Sequence, residues 1–239
     1  MAVAQKLACQ VEKIIHHGKH AYTVDLRPER PAPRFRPGQF LHLALDAYDP
    51  SGFWPESRVF SIASPPAQRE RLRITYSVQG RFTARMAREL AEGHWVWAKL
   101  PYGDFVVEDT RDAVLFAGGT GITAFTAFLA GLTHEFQHAV YLAYGARERG
   151  LLIYRDMVEQ RVRMTAMLHA YYFIESEAGE LLPHEAAGRL SVDAMWPRIH
   201  NPLEATYYIS GPPRMLKTIT QDLRGRGIRA DAIRIDAWE

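Results

Sequence analysis

The feature of this chain that most restricts what it can fold into is a change of rhythm near residue 108. Beyond that point short apolar runs alternate with longer helical ones. Strands are expected at 113–117, 140–144, 164–175, 207–210 and 233–236, and helices at 122–136, 151–162, 191–198 and 214–224. Such alternation predicts a parallel sheet covered on both faces, because neighbouring parallel strands need a crossover and a helix supplies it. Before residue 108 the pattern differs. Six short runs, at 6–15, 21–26, 40–45, 58–62, 72–78 and 95–99, are separated by Pro and Gly. In one of them Leu72-Arg73-Ile74-Thr75-Tyr76 alternates apolar with polar, as a half-buried strand does. A single helix at 83–90 interrupts them, with Met86, Ala87 and Leu90 on one side. Many short strands in a compact block predict a small antiparallel barrel. The expected organisation is two domains: an antiparallel β-barrel at 1–107 and an α/β domain with a parallel sheet at 108–239.

The apolar and charged fractions, 47% and 23%, are those of a globular chain with a proper core. No run approaches the roughly 18 apolar residues of a membrane span and the first residues lack a signal-peptide pattern, so a cytoplasmic location is expected. The single cysteine, Cys9, excludes an internal disulfide and an all-cysteine iron–sulfur cluster within these residues. It reads as a buried core residue rather than a nucleophile. A net charge of +2 gives no reason to expect a nucleic-acid binder, but the charge is uneven. Residues 1–107 hold 15 Lys and Arg against 10 Asp and Glu, whereas residues 108–239 hold 14 against 17. Arg81, Arg85 and Arg88 fall at helical spacing, which suits either a solvated helix face or a docking strip for an acidic partner. His134-Glu135-Phe136-Gln137-His138 spells the zinc-protease pattern, yet the strand expected from residue 140 leaves His138 outside a helix, so no metal site is expected. His16, His17 and His20, beside Gly18, read as an exposed hairpin turn.

Chemistry concentrates in four short segments. Gly118-Gly119-Thr120-Gly121 follows an apolar strand and opens a helix, where glycine lets backbone approach a diphosphate and the helix start offers N–H groups and partial positive charge. Ser210-Gly211-Pro212-Pro213-Arg214-Met215 ends a later strand of the same domain. Ligands of open α/β sheets bind beyond the carboxyl ends of strands, so these two turns can hold two ends of one dinucleotide. In the first domain Arg58-Val59-Phe60-Ser61 stands on one strand. Another, Tyr76-Ser77-Val78, leads through Gln79 to Gly80-Arg81-Phe82-Thr83, which opens the helix. An arginine, a serine hydroxyl and a glycine-led helix start make a second anion site. Two diphosphate sites on one chain imply two dinucleotides, hence hydride or electron transfer between them.

Taken in order, PGQF at 37–40, RVFSIAS at 58–64, GRFT at 80–83, PYGDF at 101–105, GGTGIT at 118–123, YGAR at 144–147 and SGPPRM at 210–215 span essentially the whole chain. This series resembles the ferredoxin–NADP reductase family of flavin reductases, in a form without an iron–sulfur domain. The resemblance implies an N-terminal FAD-binding barrel, a C-terminal nicotinamide-binding domain, and an NAD(P)H-dependent flavoprotein that receives hydride at flavin N5. By position, Arg58 resembles the flavin-diphosphate arginine, Phe60 the aromatic packed on the isoalloxazine, and Ser61 the serine beside N5. Val59, Tyr76, Ser77 and Val78 flank them, and Gly80, Arg81, Phe82 and Thr83 resemble the second flavin-diphosphate contact. Gly118, Gly119, Thr120 and Gly121 match the nicotinamide-cofactor turn, with Gly211, Pro212, Pro213 and Met215 opposite. Trp238 resembles the C-terminal aromatic beside the flavin. Ser61, Ser210 and Trp238 are thus the expected catalytic positions.

Two departures stand out: Ser210 where many members have Cys before Gly-Pro-Pro, and Ala124 where Pro commonly follows GGTGI. The end of the strand at 164–175 runs into Glu175-Ser176-Glu177. A carboxylate there would accept a bond from the ribose 2′-hydroxyl of NADH and repel the 2′-phosphate of NADPH, so NADH is favoured. Arg147 and Arg149, after the second strand, would offset that preference if either points at the ribose. With no cluster in these residues, the electron acceptor is expected to be separate: an acidic carrier such as a ferredoxin, a redox subunit, or a small molecule. A flavin-binding electron-transfer or regulatory subunit with little activity of its own is the alternative.

Overall fold

The computed structural model describes residues 3–176 and 179–236. The chain divides into two compact units, Met1–Val106 and Val107–Glu239. The first is a curled antiparallel sheet of β1 (Gln5–His16), β2 (Ala21–Pro28), β3 (Phe40–Ala44), β4 (Ser57–Ser61), β5 (Leu72–Ser77) and β6 (Trp95–Tyr102), ordered β4-β3-β6-β1-β2-β5. Every second residue faces inward: Leu7, Cys9 and Val11 on β1, Leu41 and Leu43 on β3, Leu72, Ile74 and Tyr76 on β5, and Val96, Ala98 and Leu100 on β6. Beyond the last residue of β4, Ala63 donates its N–H to Arg73 on β5 at 2.8 Å, so the sheet's two edges nearly meet and the barrel shape follows. Helix α1 (Arg81–Glu89) lays Phe82 and Met86, four residues apart, onto this core. Gly38 of the PGQF segment has φ of +93°, and a Cβ there would stand 1.9 Å from the Phe105 carbonyl oxygen. Gln39 donates to Gly103 at 2.8 Å, so the PGQF and PYGDF segments hold each other.

The second unit is a parallel sheet of β7 (Ala113–Gly118), β8 (Val140–Ala146), β9 (Leu168–Ile174), β10 (Glu185–Ala187), β11 (Thr206–Ser210) and β12 (Ile233–Asp236), in the order β10-β9-β8-β7-β11-β12. Strands β7 and β8 are buried along their whole length, as parallel strands covered on both faces must be. Between them run α2 (Thr123–Gly131), α3 (Arg155–Met164), α4 (Val192–Met195) and α5 (Pro213–Gly225). The chain builds outward from β7 to β10 and then returns to place β11 on the other side of β7, which makes β7/β11 the point where strand order reverses.

Three expectations need correction. The helix expected over 122–136 ends at Gly131: Leu132 is extended, and Phe136 instead packs edge-on against Phe128 at 5.8 Å. His134 and His138 therefore both lie outside a helix, and among the described residues no group of His, Cys, Asp or Glu could hold a metal. Met164, expected to begin a strand, is the last residue of α3; Thr165 terminates that helix in extended conformation and β9 starts only at Leu168. The short strand β10 was not anticipated. Cys9 is wholly buried, and burial pushes its thiol up to about 12, which leaves no nucleophilic thiolate near neutral pH. Among the described residues no helix is long and apolar enough to cross a membrane.

One buried ion pair ties the barrel together. Asp25 on β2 is 3% exposed, and Arg73 on β5 grips both its oxygens, at 2.6 and 2.7 Å. Removing the cation would strand a buried carboxylate, so Arg73→Met is expected to cost about 3–5 kcal/mol, with most of it restored in Asp25→Leu/Arg73→Met. Urea unfolding of the two variants is the measurement; equal loss in both would show that packing rather than charge dominates.

Candidate functional site

The α/β unit brings its two glycine turns together at the reversal of strand order. Gly118 ends β7 and Ser210 ends β11, the strand beside it, with Ala117 opposite Ser210. A Cβ on Gly121 would lie 2.4 Å from the Ser210 carbonyl oxygen and 2.7 Å from the Gly211 nitrogen, and one on Gly118 would lie 2.6 Å from the Met215 sulfur. The glycines at 118 and 121 are thus needed first by the packing of turn on turn. Gly119 is different: its φ is +55° and a Cβ there would meet nothing within 4 Å, so it is the glycine that faces open space. The 3-10 turn over Gly119–Ile122 and α5 both start here, and neither has a side-chain cap on its first turn. Uncapped N–H groups and the positive ends of two helices therefore converge on one crevice at the carboxyl ends of β7 and β11. Thr120 is half-buried, its carbonyl accepting from the Thr123 hydroxyl at 2.8 Å; Pro212 and Pro213 are exposed and Met215 is half-buried.

Ser210 is buried and donates its hydroxyl to Asp236 at the end of β12, at 2.8 Å. Asp236, also buried, is a residue that sequence reasoning passed over; the available signal was an acidic residue closing the last strand, Ile233-Arg234-Ile235-Asp236. Trp238 lies outside the described residues.

Further along the same sheet edge, Glu175 donates its N–H to the Ala146 carbonyl and Ser176 to the Arg147 carbonyl, at 3.1 and 2.9 Å, so Arg147 and Glu175 are neighbours. Glu175 is not a bare carboxylate, because Arg189 pairs with it at 3.0 Å. Arg149, which would offset the NADH preference only by pointing at the ribose, is turned to Glu185, at 3.0 and 2.8 Å. Glu185 also receives Arg155 and the Leu182 N–H, and its side chain is 0% exposed. The Arg149 guanidinium foremost, with the Leu182 N–H and Arg155, holds this carboxyl at about 2.

In the barrel, Arg58 on β4 and the start of α1 are brought together: the Arg58 guanidinium stands 5.4 Å from the Phe82 ring centre. Glu56 bridges Arg58 and Arg81, at 3.4 Å to each. Gly80 has open space around it and α1 has no side-chain cap. The Thr83 hydroxyl accepts from Gln79 and Gly80 N–H at 2.9 and 3.1 Å, shaping the turn. Val59 and Phe60 are half-buried, Ser61 is buried, and Ser77 and Val78 are half-buried. Tyr76 faces the core, stacked on Tyr22 at 5.2 Å and edge-on to Phe60 at 6.1 Å, and burial raises its phenol. The expected basic strip is largely neutralised. Arg85 is held by Asp46 at 2.8 Å and Glu89 at 2.6 Å, and Arg88 by Glu89 at 2.7 Å.

Known proteins share this architecture. Residues 115–221 match the oxidoreductase NAD-binding domain. The reductase component 1 of terephthalate 1,2-dioxygenase from Comamonas sp. is 25% identical over 210 residues, which is 86% of this chain and 60% of that protein. A flavohemoprotein of Bacillus subtilis is 24% identical over 222 residues, 89% of this chain and 54% of the relative. The ferredoxin NADP+ reductase of Neisseria gonorrhoeae, solved with bound FAD and NADP, superposes with a TM-score of 0.78 at 19% identity, covering 98% of each chain. The ferredoxin reductase in carbazole 1,9a-dioxygenase gives 0.81 at 20% identity, covering 99% of this chain and 70% of the other. The chain has the two-unit fold of these ferredoxin reductases, and its second unit carries an oxidoreductase NAD-binding domain. The chain spans about half the length of the curated relatives it matches.

Within this ferredoxin–NADP reductase fold the two kinds of glycine separate experimentally. Gly121→Ala must push two backbone segments apart and is expected to lower stability by more than about 3 kcal/mol. Gly119→Ala meets only its own positive φ, at a cost of about 1–2 kcal/mol. Thermal unfolding of both variants checks the order; a Gly119→Ala loss as large as that of Gly121→Ala would refute the packing argument.

Proposed function

We propose that this chain is an FAD-dependent NAD(P)H reductase that hands electrons to a separate acceptor. The observation that carries the reading is the convergence of two uncapped helix starts and the open Gly119 on the crevice between β7 and β11. Such a crevice suits the diphosphate of a nicotinamide dinucleotide, whose charge N–H groups and helix ends stabilise. In the barrel Arg58, Arg81, open Gly80 and the uncapped start of α1 suit the diphosphate of FAD. When bound, FAD would supply the chemistry, taking one hydride, and so one pair of electrons, from the nicotinamide and releasing those electrons singly. The chain's own residues hold and orient: Arg58 neutralises phosphate, Phe60 offers a face to the ring, and the Ser61 hydroxyl lies at the end of β4 for the flavin edge. The acceptor proposed is a redox component, as the names of the dioxygenase reductase and flavohemoprotein relatives suggest. With Arg81, Arg85 and Arg88 already paired to acids, docking need not rely on a bare cationic strip.

The test is direct. Purified protein is expected to be yellow, to release FAD rather than FMN on denaturation, and to bleach anaerobically with NADH or NADPH. Arg58→Ala is expected to lose most of its flavin. A colourless wild type, or release of FMN alone, would refute the proposal.

For cofactor choice we infer a preference for NADH, set by Glu175 and softened by its partner Arg189. An exposed pair of this kind contributes modestly, so the ratio of kcat/KM for NADH over NADPH is expected to be about tenfold. Glu175→Gln should bring it close to parity. A wild type that uses NADPH equally well or better would show that Arg147 and Arg189 outweigh the carboxylate.

A further inference from the structure

Where the two glycine turns of the α/β unit meet, the thioether of Met215 fills the gap between them. A Cβ on Gly118 would stand 2.6 Å from the Met215 sulfur and 2.9 Å from the Pro212 ring, and one on Gly211 would stand 2.8 Å from the Met215 methyl carbon. The side chain thus takes the space that two missing Cβ atoms leave. It rises from the first turn of α5 and packs on the core from its margin, half-buried, so a small oxidant in the crevice can reach it. Met86 and Met195, by contrast, are wholly buried. Around Met215 stand the donors of the crevice, because neither the turn over Gly119–Ile122 nor α5 has a side-chain cap. A thioether is a weak acceptor and leaves those N–H groups to an entering anion. A sulfoxide is a strong one, on a side chain turned polar and chiral.

We propose that Met215 is an oxidation site through which hydrogen peroxide closes the nicotinamide-cofactor crevice. The proposal rests on the reading of that crevice as a diphosphate site and adds its regulation. In the reaction the sulfur lone pair attacks one peroxide oxygen, and the S–O bond forms as the O–O bond breaks. The departing hydroxide takes up the proton of the transferred oxygen and leaves as water. Sulfur is oxidised by two electrons and peroxide is reduced by two. The new oxygen is bound to a sulfur already wedged beside Gly118, and it presents negative charge to the two helix starts that would hold the diphosphate. It also enlarges a side chain in a filled gap, which presses the interlocked turns apart. Both effects weaken the dinucleotide. Reduced flavin makes hydrogen peroxide when it meets dioxygen instead of its acceptor, so oxidation here stops hydride entering when electrons have nowhere else to go.

The experiment treats purified flavin-loaded protein with hydrogen peroxide and locates sulfoxide by mass analysis of peptides. Wild type, Met215→Leu and Met164→Leu are compared, Met164 being the exposed control on α3. Each is titrated calorimetrically with NAD+ and NADP+ before and after treatment, and flavin content is read from absorbance. Expected is sulfoxide at Met215 and Met164, a loss of about tenfold in dinucleotide affinity in wild type and Met164→Leu, and full flavin retention. Met215→Leu is expected to keep its own untreated affinity, and a methionine sulfoxide reductase to restore that of the wild type. Treatment that oxidises Met164 but not Met215, Met215 sulfoxide with unchanged affinity, or an equal loss in Met215→Leu would overturn the proposal while leaving the crevice reading standing. An untreated wild type that binds neither dinucleotide would overturn both.

Discussion

Backbone packs on backbone where the two glycine turns of the α/β unit meet, and the cleft edge of that sheet is built on the contact. Gly121 lies so close beneath the Ser210 carbonyl and the Gly211 amide that a single added carbon would overlap them. Because the turns interlock, β7 and β11 end level with one another, and the first turns of two helices open onto the same crevice. Most of the glycine in this motif is therefore spent on holding strands together, and one residue, Gly119, remains for whatever occupies the crevice. Fold and site are here one constraint. Any substitution that separates the turns removes the edge proposed to hold the cofactor diphosphate along with the packing.

The barrel solves a different problem, that of keeping charge ordered in a small unit. Asp25 and Arg73 form a bidentate pair across neighbouring strands, and Glu56 is shared between the two arginines proposed to meet diphosphate. Surface pairs of the second type contribute little to stability, but they hold side chains near a defined place. An entering phosphate then exchanges one anion for another around cations that are already gathered.

Much of the architecture was legible because its signals are local. Alternation marked β5, and apolar continuity marked β7 and β8, since side-chain direction repeats every two residues and burial on both faces removes the alternation. The helix expected to reach Phe136 shows the limit of that logic. Leu132 and Phe136 continue the apolar pattern, yet Gly131 ends the helix and Phe136 packs back on Phe128 from a turn. Strand β10 was invisible for a related reason: three residues headed by an acid read as loop. What makes it a strand is the pairing with β9 and the enclosure of Glu185 by Arg149 and Arg155, neither of which leaves a local trace.

The sequence by itself determined the two-unit organisation and the order of the motifs. Those properties follow from the periodicity of apolar residues and from turn signals acting within a few residues. Tertiary structure alone decided the partnerships: that Arg189 sits on Glu175, that Arg149 is turned away to Glu185, that Ser210 answers to Asp236, and that the strip of Arg81, Arg85 and Arg88 is matched by Glu56, Asp46 and Glu89. Each of these contacts but the last pair, within one helix, joins side chains well separated along the chain. Coulomb attraction and hydrogen bonding depend on distance in space, which strand order sets and residue spacing does not.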